Sequence, residues 1–186
     1  MKRSLINLIS LTVIALIAVS CKDKKHGLDY SLLDPWKGTY TVTAQSYFGD
    51  AEVPPTTDYD ETWTVVVAQV DTSETMLSFT GLGGNEAQTI YATLDPVALT
   101  ISFEPGQALG DLHTYGNCSF YYGSADIIAR AGADIQQTDI DAVASTKITG
   151  TLQSSGAVAI DKMAEIVVDG PSVWDVFNTT WVKNGK

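Results

Sequence analysis

Residues 61–68, ETWTVVVA, decide the fold class, because polar and apolar side chains alternate along them. A period of two places Trp63, Val65 and Val67 on one face of a strand and leaves the other face for water. Residues 39–44, TYTVTA, alternate in the same way. The two stretches therefore predict strands that each bury one face.

Short strand candidates continue along the chain, separated by residues that form turns. The further candidates are residues 76–80, 89–95, 98–103, 117–122, 147–152, 157–160 and 173–183. The turn signals between them are residues 81–85, 95–96, 105–106 and 154–156. Strands separated by turns about every 8–12 residues are typical of a barrel or a sandwich. We predict a single all-β domain over residues 34–186. Its expected form is an antiparallel up-and-down β-barrel of about eight strands, since closure removes exposed edges; the alternative is a β-sandwich.

Two segments interrupt this rhythm. Residues 49–60 contain two adjacent prolines and are predicted to form a long polar loop. Within residues 124–146, Ser124 can cap a short helix that runs through Arg130. Residues 126–129, DIIA, are equally compatible with a strand.

The start of the chain resembles a bacterial lipoprotein signal. A cationic head, MKR, precedes an apolar run over residues 5–19, and the small Ser20 stands directly before Cys21. The run is shorter than the roughly 20 apolar residues that cross a membrane. We expect residues 1–20 to be removed, Cys21 to be lipidated and residues 21–33 to form a flexible tether. The alternative is an ordinary secretory signal that leaves Cys21 as a free thiol.

A lipidated Cys21 implies a location at the cell envelope, anchored to the outer membrane. Two or three acyl chains, at about 0.8 kcal/mol per buried methylene, hold a protein on a bilayer stably, whereas one chain does not. The membrane is therefore an expected partner. Whether the domain faces the periplasm or the cell exterior stays open.

The charge balance argues against a nucleic-acid partner. The chain has 11 Lys and Arg against 22 Asp and Glu, a formal net charge of −11. Such a surface repels phosphate backbones, and solubility is the simplest explanation of the acidic excess. Cys118 is the only cysteine besides Cys21. Once Cys21 is acylated, no internal disulfide can form.

The residue types that carry catalysis or bind metals are sparse. A thiol–imidazole pair of His113 and Cys118 is conceivable, but a loop histidine and a buried strand cysteine are the favoured explanation of these residues. Residues 134–141 and 58–61 are acidic clusters without the spacing of a calcium loop, so solvated loops are favoured. The glycines within residues 81–84 lack the ending of a phosphate-binding loop and indicate a turn. We expect no metal, no cofactor and no catalytic residue.

Aromatic residues are the remaining candidates for a binding site, since each has an apolar body and several have a polar tip. The inward candidates are Tyr40, Trp63, Phe103, Phe120 and Tyr122, and the rim candidates are Tyr47 and Tyr121. Filling of the strand surfaces by aromatic rings is the plainer explanation of the same residues.

The two ends of the domain carry a further resemblance. Residues 36–40, WKGTY, and 178–183, NTTWVK, resemble the first and last strands of calycin-type barrels, the lipocalin and avidin group. More narrowly, the chain is similar to the lipocalin-like lipoproteins of Bacteroidetes. The resemblance implies a last strand returning beside the first and an aromatic ring that plugs one end.

Together these features favour a membrane-anchored, non-enzymatic barrel that binds a small apolar or glycan-like ligand. Two other functions stay open. One is an accessory lipoprotein that docks a protein partner through its outer face, and the other is a hydrolase that uses paired carboxylates.

Overall fold

The computed structural model describes residues 32–47, 61–112, 116–154 and 157–185. Within them the chain forms eleven strands and two short helices. The strands are β1 (Gly38–Tyr47), β2 (Glu61–Gln69), β3 (Met76–Thr80), β4 (Thr89–Asp95), β5 (Thr100–Phe103), β6 (Gln107–Asp111), β7 (Asn117–Tyr122), β8 (Ile148–Leu152), β9 (Val158–Ile160), β10 (Met163–Val167) and β11 (Ser172–Lys183); the helices are α1 (Ala125–Ile128) and α2 (Gln137–Val143). No helix among these residues has the length and apolar character needed to cross a membrane.

Eight strands close into a barrel, in the order β1, β2, β3, β4, β5, β8, β9 and β11. All pairings are antiparallel, and β11 returns to β1 with Lys183 opposite Tyr40 and Val176 opposite Tyr47. The predicted all-β barrel is therefore confirmed, and the fold is not the alternative sandwich. The predicted bounds of β3, β4 and β7 agree with the structure residue for residue.

Strand β5 begins later than predicted, because a turn occupies the first residues of the candidate stretch. The Asp95 carboxylate accepts hydrogen bonds from the backbone N–H groups of Val97 and Ala98, at 2.8 and 2.9 Å. Leu99 follows with a φ of 55°, a conformation that extended strand pairing does not allow. Strand pairing therefore starts at Thr100.

A second set of strands, β10, β7 and β6, branches from β11. The first half of β11 pairs with β10, while Trp181 in its second half pairs with Val158 of β9. Strand β10 then pairs with β7, and β7 with β6. The Gln107 side chain of β6 accepts a hydrogen bond from the Tyr91 N–H and donates one to the Tyr91 carbonyl, at 2.7 and 2.8 Å. A side chain thus joins β6 to β4 where no backbone ladder does.

The two helices cover the outer face of this branch. The Ser124 hydroxyl accepts a hydrogen bond from the Ile127 N–H at 3.2 Å, which caps α1 as predicted. The segment is a helix and not the alternative strand, but the helix ends at Ile128 and not at the predicted Arg130. Part of the acidic stretch 134–141 forms α2. The helices contribute to a second apolar cluster, whose buried members are Ile127, Ala131, Ile135, Ile140, Val143, Ala164, Ile166, Val173 and Val176. This cluster lies outside the barrel.

Aromatic rings fill one end of the barrel interior, which we call the aromatic end and define by Tyr40, Phe79, Phe103 and Trp181. The Phe79 and Phe103 rings meet edge to face at 4.8 Å between centroids, and Trp181 meets Tyr40 at 5.7 Å. The Tyr40 hydroxyl donates to the carbonyl of Trp36 at 2.8 Å, so the polar tip of the tyrosine is satisfied. Contacts of this kind stabilise a core beyond the area they bury.

Candidate functional site

The opposite end of the barrel interior is polar. We call it the acidic end and define it by Ser46, Glu61, Glu165 and Asp175. Ser46 continues the inward alternation of β1, and Glu61 lies opposite Ala44 at the start of β2. Glu165 of β10 lies opposite Asp175 of β11 in the register. Strand alternation therefore brings three carboxyl groups to one end of the interior.

Glu165 is the most unusual side chain of this end, because it is fully buried and unpaired. Its exposed fraction is 0%, and neither carboxyl oxygen has a hydrogen-bond partner among the described residues. Met163 and Val167, its neighbours on the same face of β10, belong to the barrel core. Leaving a buried polar group unsatisfied costs about 1–3 kcal/mol, and more for a charged one.

The environment of Glu165 favours its neutral form. Burial is the main cause that raises the pKa of Glu165 well above its ordinary value, and the negative charges of Glu61 and Asp175 add to the effect. The fold thus holds a carboxyl group that has neither a counter-charge nor a donor among the described residues. Such groups are enriched at functional sites.

Asp175 is also buried but has partners. Burial raises the pKa of Asp175 from its ordinary 3.8 to about 7, while hydrogen bonds from the Ser46 hydroxyl and the Val176 N–H act in the opposite direction. The Val176 N–H lies 2.7 Å from the Asp175 carboxylate. The two acids therefore differ: Asp175 is held in place, and Glu165 is left without a partner.

A glycine-rich turn covers the acidic end. Residues Leu82–Gly84 form a 3₁₀ turn in which Leu82 and Gly83 are buried. A Cβ on Gly83 would lie 2.8 Å from Oε1 of Glu165, and a Cβ on Gly84 would contact the Trp63 ring. The Asn85 amide ties the turn to β6 by donating to the Leu109 carbonyl at 2.8 Å. The predicted turn thus forms the roof above Glu165.

The inward aromatic candidates are divided between the two ends. Tyr40 and Phe103 are buried among the rings of the aromatic end. Trp63 and Phe120 are buried at the acidic end, where Phe120 lies directly opposite Glu165 in the register. The Trp63 N–H donates to Glu61 at 2.7 Å, and its ring meets Phe177 edge to face at 4.9 Å. Apolar walls thus surround the carboxyl groups.

The other three aromatic candidates lie elsewhere. Tyr122 is half-buried against the barrel core, opposite Met163. Tyr47 and Tyr121 were expected at a rim, but the structure packs both against the second apolar cluster on the outer face. Lys162 lies over the Tyr47 ring, 5.0 Å from its centroid. The reason is strand parity, since both residues alternate with inward neighbours, Ser46 and Phe120.

The remaining sequence candidates form no site within the described residues. His113, Cys21 and residues 58–60 lie outside them, so the thiol–imidazole pair, the lipid attachment and one acidic cluster are not described. Among the described residues no group of His, Cys, Asp and Glu is arranged to hold a metal ion. Two surface grooves flank Tyr122, with volumes of about 230 and 410 Å³. Neither is lined by the acids of the acidic end.

Cys118 is expected to be chemically inert in the folded protein. It is 1% exposed, and burial, with a contribution from the negative charge of Glu165, raises the pKa of its thiol to about 11. Because the thiolate is the reactive form, alkylation by iodoacetamide at pH 8 should be at least about 100-fold slower in the folded protein than in urea. A Cys21→Ser variant leaves Cys118 as the single thiol to follow by mass spectrometry. Similar rates in the two states would contradict the burial described.

Asp175 is expected to make stability depend on pH. Its pKa is higher in the folded state, about 7, than in the unfolded state, so between about pH 4 and pH 7 the folded protein binds the proton more tightly and stability falls as the pH rises. Relative to Asp175→Asn, the wild type should lose about 2–4 kcal/mol of unfolding free energy over this range. Urea titrations of both proteins at pH 4, 5.5 and 7 measure the difference. A constant difference between them would show that Asp175 titrates normally.

The comparisons with known proteins add no assignment: no protein-family model, no curated protein and no solved structure matches this chain. The fold shows that the protein is a β-barrel. The lipocalin-like family, the lipid anchor and any ligand stay predictions.

Proposed function

We propose that the protein is a lipid-anchored, non-enzymatic binding protein of the cell envelope, and that its barrel takes a small ligand at the acidic end. The single observation that carries the binding proposal is Glu165, a fully buried carboxyl group with two unpaired oxygens inside the barrel. The anchor rests on the sequence around Cys21.

A buried carboxyl without a partner lowers stability, and an apolar residue of similar size in its place would not carry that cost. Natural proteins keep destabilising groups of this kind mainly where activity needs them. The position of Glu165 fits such a need, because it lies opposite Phe120 and next to Gly83 of the glycine-rich turn. These features support binding as the function of the acidic end.

The unpaired carboxyl group is the reason for assigning the ligand to one end of the barrel. Rings pack edge to face at both ends, but among the described residues the unpaired buried carboxyl group lies at the acidic end. We therefore place the binding site next to Glu165.

Native mass spectrometry of the protein extracted gently from its own membranes tests the binding proposal. We expect the wild type to carry a non-covalent small-molecule adduct that is lost on denaturation, and Glu165→Gln to lack it. Glu74→Gln is the matched control, since Glu74 is exposed and the charge change is the same. The proposal fails if the wild type carries no adduct and gains none from an extract of its own cell envelope.

A Cys21→Ser variant tests the anchor. The wild type should partition with membranes, and its mature mass should correspond to residue 21 as the first residue with acyl chains attached. The variant should lack the acyl mass and leave the membrane fraction once its leader is removed. A wild-type protein with a bare thiol and an intact leader would refute the anchor without affecting the barrel.

A further inference from the structure

We propose that the ligand of the acidic end is an organic cation, a primary ammonium or guanidinium group on an apolar body, that forms an ion pair with Glu165. This inference rests on the proposed function and specifies the chemical class of its ligand. It follows from three features of the described residues: the missing counter-charge, the free acceptors and the apolar walls.

The chain supplies no cation to the acidic end from its described residues. Each Lys and Arg among them has a neighbour elsewhere: Lys37 pairs with Asp34, Arg130 with Asp139 and Lys147 with Glu104, while Lys162 lies over the Tyr47 ring and Lys183 donates to the Pro35 carbonyl. Glu165, whose two carboxyl oxygens have no hydrogen-bond partner, therefore receives no positive charge from the described residues. A ligand cation would provide it, and an anionic ligand would be repelled.

The free acceptors of Glu165 match the donors of such a cation. An ionised carboxylate offers two oxygens with about four lone-pair sites, and an ammonium group carries three donors. Asp175 is already engaged by Ser46 and Val176, so Glu165 is the acid free to receive a ligand. Charge-assisted hydrogen bonds of this kind are about twice as strong as neutral ones.

The walls favour an organic cation over a metal ion. Phe120 faces Glu165 across the β7–β10 pairing, and Trp63 and Phe177 meet next to Glu61. Aromatic faces attract cations and bury the apolar body that such a ligand carries. A hard metal ion would need several more oxygen ligands, and the described residues contain no group arranged to hold one.

Isothermal titration at pH 7 and 0.15 M salt tests the inference, with benzylamine, hexylamine and agmatine as probes and benzyl alcohol and hexanol as their neutral matches. We expect at least one amine to bind the wild type and Glu74→Gln with equal affinity. The neutral match of that amine should bind the wild type at least 10-fold more weakly. Glu165→Gln should bind the amine at least 10-fold more weakly than the wild type does. Because burial raises the pKa of Glu165 and a bound cation lowers it, amine binding should also release protons at pH values where the free group is protonated. Titrations at several pH values in buffers of different ionisation enthalpy detect this release. This second readout needs only the wild type.

The other outcomes each overturn the inference. Equal binding of an amine and its neutral match, both lost in Glu165→Gln, would keep the proposed function and reject the cation. Equal amine binding to wild type and Glu165→Gln, without proton release, would show attraction to the acidic surface alone. If no probe binds the wild type, the cation is rejected, and the mass measurement of the extracted protein decides the proposed function separately.

Discussion

Replacing Gly81 with alanine should destabilise the barrel by about 3–5 kcal/mol, because backbone strain and a steric clash act together. Gly81 has a φ of +93°, where residues with a side chain are strained, and a Cβ at this position would lie 2.3 Å from the backbone carbonyl oxygen of Thr64. This backbone atom cannot move aside without disturbing the β1–β2 ladder, in which Thr64 lies opposite Thr41. The free energy of unfolding in urea measures the effect.

Gly170→Ala is the matched control for this variant. Gly170 has a similar φ of +108°, but a Cβ there would have nothing within 4 Å. Its substitution should therefore cost only the conformational strain, about 1–2 kcal/mol. If the two variants lose the same stability, the roof turn does not lie against β2 as the structure describes.

Trp181→Ala should cost about 3–5 kcal/mol of unfolding free energy, since it removes the largest ring of the aromatic end. Trp181 is 1% exposed, contacts the Tyr40 and Phe79 rings, and donates its N–H to the Thr179 hydroxyl at 2.9 Å. The substitution would leave a cavity bordered by rigid rings that cannot collapse into it. Thermal and urea unfolding measure the loss.

Val182→Ala tests the same strand on its other face. Val182 is adjacent to Trp181 but 59% exposed, so its truncation should change stability by no more than about 0.5 kcal/mol. The contrast between neighbouring residues follows from the alternation of β11 through the closed barrel. Comparable losses at both positions would argue against that closure.

Two of the strands that the sequence predicted residue for residue, β3 and β4, have one wet face. Strands β3 and β4 bury every second residue, so their alternation is visible in the sequence. Strand β10 escaped prediction because all five of its residues are buried: one face lines the barrel and the helices cover the other. Strand β6 contains Gly110 beside an irregular register, which weakens its pattern.

Of the candidate site, the sequence analysis singled out only the surrounding aromatic residues. Trp63 and Phe120 were expected to point inward, and both do, but Glu165 and Asp175 were not singled out. Each is a single acid within an apolar run, in MAEIV and VWDVF, and that contrast is the signal that could have drawn notice. Their proximity depends on strand pairings across the branch of the sheet, which no local pattern reveals.

The carboxyl carbon of Glu165, followed by NMR across pH with Glu165→Gln to assign the signal, tests the central claim most directly. In the ligand-free protein we expect its pKa well above that of an ordinary glutamate, because the group is buried beside two other acids. Adding an amine that binds should move the titration of the signal to lower pH, since a bound cation lowers the pKa of its partner. A Glu165 signal that titrates like that of an exposed glutamate, with or without amine, would contradict the account.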